Sequence, residues 1–76
     1  MGIETMSFDG IIHTINIILD ERKIIGHISI MRSDGEFEVW VPVLNKDGIG
    51  RKNIMVASCK EANLAVTIRR KLYQQQ

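Results

Sequence analysis

The chain has 76 residues, 45% of them hydrophobic and 25% charged, which is a globular composition and room for one domain only. Its lone cysteine, Cys59, excludes an internal disulfide and suits a reducing compartment, and no apolar run approaches the ~18–20 residues of a membrane span. The net charge of +1 hides a split: residues 1–38 hold three basic residues against seven acidic ones, and residues 39–76 hold seven basic against two acidic, so a polyanion or an acidic protein would find one positive half.

Residues 1–7 carry neither a basic segment nor an apolar core of leader type, so the expected compartment is the cytoplasm, with no membrane partner. Residues 11–19 are β-branched and alternate: Ile11, His13, Ile15, Ile17 and Leu19 on one side, Ile12, Thr14, Asn16 and Ile18 on the other. That period predicts a first strand. A charged turn, Asp20 to Lys23, leads to a second strand over residues 24–32. Ser33-Asp34-Gly35 is a tight-turn signal, because Asp and Gly tolerate the positive φ of hairpin turns.

Residues 36–44 form the clearest strand, with Phe37, Val39, Val41 and Val43 on one face and Glu36, Glu38, Trp40 and Pro42 on the other. Pro42 cannot donate a ladder hydrogen bond and points to an edge or a bulge. A turn-rich loop precedes a short fourth strand over residues 52–57. The period then changes. Ser58-Cys59-Lys60-Glu61 has the form of a capping box, and Leu64, Ala65, Ile68 and Leu72 recur at helical spacing, predicting a helix over residues 59–73.

The expected fold is thus α+β, a single domain over residues 1–76: a four-stranded antiparallel sheet with one C-terminal helix packed on one face. The expected core is Ile15, Ile17, Ile28, Ile30, Phe37, Val39, Val41, Ile54, Val56, Leu64, Ile68 and Leu72. One helix covers one face, which leaves Ile12, Ile18, Ile25, Met31, Trp40 and Met55 on the other. A monomer rarely exposes such a patch, so a homodimer is expected.

The chemistry-bearing residues argue for binding rather than catalysis. His13, His27 and Cys59 lack paired ligand spacing, so no metal is expected, and no cofactor fingerprint is present. Cys59 lies at the expected helix start, yet a buried structural thiol is the commoner outcome. Glu36 and Glu38 suit an exposed strand better than an acid–base pair. Two binding surfaces remain. Lys46, Arg51 and Lys52 lie around the last loop and Lys60, Arg70 and Lys71 on the helix, a set able to contact the phosphates of duplex DNA, with Trp40 nearby. Ile25, Met31, Trp40, Glu36 and Glu38 lie on the outer sheet face, where tryptophan suits a protein-binding anchor.

Residues 24–73, through Gly35 to Pro42 of the middle strand and Ser58 to Ala62 at the helix start, resemble the three-strand-plus-helix DNA-binding domain of integrase arm-site and ethylene-response-factor proteins. The resemblance implies that the outer sheet face, with Trp40, lies in the major groove. This chain departs from that family in its acidic Glu36 and Glu38 and in the additional strand over residues 11–19. The same order also resembles HicB-type antitoxins and the later part of double-stranded-RNA-binding domains, which begin with a helix absent from this reading. The first expectation is a small, non-catalytic DNA-binding or regulatory protein. The alternative is a protein-interaction module, an antitoxin-like partner or inhibitor, that binds through the outer sheet face.

Overall fold

In the computed structural model, which describes residues 6–76, the isoleucine-rich segment expected as the first strand is a helix, α1 (Phe8–Leu19). Residues 1–5, part of the segment read as lacking a leader, lie outside the described residues. Ser7 caps α1: its backbone is extended and its Oγ accepts a hydrogen bond from the Gly10 N–H at 3.1 Å. Asp9 adds negative charge to the first turn, where it suits the helix dipole. The helix buries Ile11, Ile12, Ile15 and Leu19, the spacing of a helical stripe. Helix and strand periods compete here because six of the nine positions 11–19 are Ile or Leu, enough to populate a face of either. Three residues, Ile11, Ile15 and Leu19, satisfy both patterns; Ile12 and Ile17 separate them. Ile12 is buried, contrary to its expected place on an uncovered face, and Ile17, expected in the core, is 65% exposed.

The sheet has three antiparallel strands, β1 (Ser29–Ser33), β2 (Glu36–Leu44) and β3 (Arg51–Cys59), in the order β1-β2-β3. Asp34 and Gly35, both at positive φ, make the two-residue turn between β1 and β2, as their sequence signal requires. The expected strand over residues 24–32 is broken. Ile24 bridges Val43, and β1 resumes only at Ser29 opposite Trp40. Between them Gly26 lies against the Pro42 ring, where a Cβ would approach Cγ to 3.3 Å. The Ile28 N–H leaves the ladder altogether and donates to Tyr73 Oη at 2.7 Å. Pairing of β2 with β3 shifts between Val39 and Trp40, so Val39 faces Ala57 and Trp40 faces Met55. The extra residue, Val56, is buried in the core.

The second helix, α2 (Ala62–Gln74), starts later than expected. Ser58 belongs to β3, opposite Glu38, and Glu61 is the N-cap residue with no side-chain capping bond. The expected Ser58 capping box does not form, because β3 stays paired with β2 as far as Cys59. Ala65, Ile68 and Leu72 face the core. Both helices lie on the Val39, Val41 and Val43 side of the sheet, touch each other, and enclose one core with Ile28, Ala57 and Cys59. A reciprocal amide pair joins them, Asn16 with Gln75, at 3.1 and 3.2 Å. The expected sheet of four strands under one helix is therefore corrected, among the described residues, to three strands under two helices, the order α-β-β-β-α.

Candidate functional site

Two helices on one face leave the other face of the sheet uncovered among the described residues, and register fixes its composition. Successive side chains of a strand alternate between faces. Val39, Val41 and Val43 point to the helices, so Glu36, Glu38, Trp40, Pro42 and Leu44 point away. Their direct neighbours define rows across the sheet. Ser29, Trp40 and Met55 make the central row. Met31, Glu38 and Ser58 lie on one side of it, and Pro42 with Asn53, then Leu44 with Arg51, on the other. Ile25 continues the face beside Pro42, to whose carbonyl its N–H donates at 3.0 Å.

The centre of this face is apolar and open. Met31 is 55% and Met55 43% exposed, while Trp40 and Pro42 are half-buried. A shallow depression is lined by Ser29, Met31, Trp40 and Asn53. Trp40 Nε1 donates to Glu38 Oε1 at 3.1 Å, which holds the indole along the strand. Charge divides along the strands: Glu36 and Glu38 on the side of the β1–β2 turn, Arg51 at the far end. The five residues expected at a protein interface, Ile25, Met31, Trp40, Glu36 and Glu38, thus share one surface with Pro42, Asn53, Met55 and Arg51. Sequence reasoning put Pro42 on that face and missed Asn53 as a member of it. The alternation of β3 carries the signal, because Asn53 stands two residues before Met55 and shares its face.

The basic set does not come together. Lys46 is ion-paired with Asp20 at the end of α1, and that pairing, by hydrogen bond and charge attraction, holds the Asp20 carboxyl below its ordinary pKa. Arg51 and Lys52 open β3 on opposite faces of the sheet, across from Leu44 and Val43. Arg70 is two residues from both Ile68 and Leu72, hence on the side of α2 turned away from the core, and it is exposed, as are Lys71 and Lys60. Arg51 on the outer sheet face and Arg70 on the outside of the helix layer therefore lie on opposite surfaces. A further cation, Arg32, sits over the Phe37 ring at 5.8 Å from its centroid.

His13 and His27 are exposed and Cys59 is fully buried in the core. Among the described residues no group of three or more His, Cys, Asp or Glu is placed to hold a metal, and no helix is long and apolar enough to cross a membrane. No family model, no curated protein and no solved structure matches this chain.

Proposed function

We propose that the chain is a non-catalytic protein-interaction module that binds through the outer face of its sheet. The observation that carries this reading is the composition of that face: an open Met31–Trp40–Met55 centre beside Pro42, bordered by Glu36 and Glu38. Phosphate recognition needs clustered cations, whereas here the cations are spread over opposite surfaces and Lys46 is neutralised by Asp20. A buried aromatic anchor with apolar neighbours and a charged rim is the anatomy of a protein interface. The test is site-specific photo-crosslinking in cells. A photoreactive residue at Met31 is expected to give protein adducts of discrete mass, and one at Asn63, on the solvent side of α2, none. Equal labelling from both positions, or none from Met31, overturns the reading.

A second reading, nucleic-acid binding, is supported by the element order. Helix, three antiparallel strands, helix is the order of double-stranded-RNA-binding domains, the later part of which the sequence resembles. Such domains read duplex shape through phosphates and sugars. Under this reading Lys60, Arg70 and Lys71 contact the duplex from the helix layer. Under the integrase-like alternative Arg51, Lys52 and Trp40 contact duplex DNA from the sheet. Mobility shifts with duplex RNA and duplex DNA separate the two: the salt slope flattens by about one unit per lost phosphate contact, in Arg70→Ala/Lys71→Ala for the first and in Arg51→Ala/Lys52→Ala for the second. No shift at low salt and micromolar protein rejects both.

A further inference from the structure

We infer that the occupant of the outer sheet face is a second copy of this chain, related by a two-fold axis that lies between the two sheets and runs across the strands along the Trp40 row. The inference rests on the protein-binding reading of this face and names its partner. Two-fold interfaces are self-complementary: a patch meets the same patch turned round. For two stacked sheets the axis can run along the strands or across them. An axis along the strands would place Glu36 and Glu38 of one copy beside the same carboxylates of the other. An axis across the strands reverses strand direction and brings each acidic end to a basic end.

The rows fit that second arrangement about Trp40. Glu36 stands four residues before Trp40 on β2, and Leu44, whose direct partner is Arg51, stands four residues after it. At ~3.3 Å per residue both lie ~13 Å from the central row, so the rotation carries Arg51 to the level of the second copy's Glu36. One strand spacing, ~4.8 Å, separates them laterally, which both long side chains can span. Glu38 stands two residues before Trp40, and Pro42 with its partner Asn53 two residues after. The rotation therefore sets the Asn53 amide, a donor, at the level of the second copy's Glu38, whose carboxylate already accepts from Trp40 at 3.1 Å. Met31, Trp40 and Met55 form the dry centre of the interface. Stacked sheets pack ~10 Å apart with strands within ~30°. Three strands of up to nine residues offer a face of about 14 by 30 Å, near the lower limit of ~1,000 Å² total for a specific interface.

Charge reversal with sedimentation equilibrium tests the arrangement. Glu36 and Arg51 are both on the surface, so their variants are expected to keep the native fold, with far-UV circular dichroism as the check. Glu36→Arg and Arg51→Glu should each weaken self-association by about tenfold or more. An equimolar mixture of the two should associate again, because each pairs Arg with Glu at both ends of the mixed dimer. The double variant should regain the wild-type constant. A wild-type chain that stays monomeric at high micromolar concentration overturns the inference, and so does a dimer indifferent to these charges. The two proposals fail separately. Monomeric protein with Met31 adducts to a different polypeptide removes the second copy but keeps the protein-binding face; an absence of Met31 adducts removes both.

Discussion

At the scale of single residues, the end of α1 is where the backbone is least at ease. Asp20 and Glu21 both adopt positive φ, 51° and 61°, without the glycine that such a helix end usually carries. An L residue there is disfavoured by about 1–2 kcal/mol. Part of this is offset: Arg22 Nη1 donates to the carbonyls of Ile18 and Leu19 at 3.4 and 3.2 Å, and Asp20 holds Lys46. Among the described residues Glu21 makes no comparable side-chain contact, so Glu21→Gly is expected to raise stability by about 0.5–1 kcal/mol, measured as a higher denaturant midpoint with unchanged slope. Asp20 should not be improved this way, because its carboxylate is used. Its pKa is lowered from the ordinary 3.8, first by the hydrogen bond from Lys46 and then by its charge. A carboxyl depressed on folding stabilises the fold above its unfolded pKa, and the effect disappears as pH falls through the folded value. The pair is solvent-exposed and screened, so the readout is the titration itself. By NMR, Asp20 should titrate below 3.8 in the wild type and move up toward it in Lys46→Met. An unchanged titration would show that the pair does not persist in solution.

At the scale of elements, the serine that caps a helix is not the one whose sequence context announces a cap. Ser58 looks like a cap and sits in a strand; Ser7 precedes an apolar run and caps a helix. Ser7→Ala is therefore expected to lose about 1 kcal/mol and Ser7→Asp to lose little, whereas Ser58→Ala should show no cap loss. Thermal melts of the three variants check this, and a Ser58→Ala loss equal to that of Ser7→Ala would place the helix start back at Ser58. The β2 face assignment was readable because Val39, Val41 and Val43 alternate strictly with Glu38, Trp40 and Pro42, so only one phase buries anything. The Asp34-Gly35 turn was readable for a local reason, the positive φ both residues accept. Residues 11–19 were not, because Ile11, Ile15 and Leu19 satisfy both periods. Helix propensity for isoleucine is modest, and tertiary burial of Ile11, Ile12, Ile15 and Leu19 against the sheet decides the outcome. The outer face was partly legible. Phase alone assigns Trp40 and Met31, whereas the placing of Arg51 and Arg70 on opposite surfaces depends on strand partners and on the orientation of α2, which no local pattern encodes.

At the scale of the whole molecule, the sheet has one face that the two helices cover and one that they leave open. Val41 and Trp40 are neighbours on β2, yet Val41 is fully buried beneath the helices and Trp40 lies on the open face. Removing a group from the first side should act within one chain, and from the second only through association. Val41→Ala leaves a cavity in a close-packed core, expected to destabilise by about 2 kcal/mol and to lower Tm by roughly 10 °C in a domain of this size. Because the loss is internal, it should be the same at every protein concentration. Met31→Asp puts a charge in the open centre of the outer face, where Met31 is half-exposed and a monomer leaves the charge hydrated. A dimer that stabilises the folded state makes Tm rise with protein concentration by mass action. The wild type and Val41→Ala should therefore share that rising slope, offset from each other, while Met31→Asp should match the wild type at the dilute end and stay flat. A Met31→Asp chain that melts low at all concentrations would show that Met31 supports the fold itself, and that the open face of the sheet is part of the monomer's own packing.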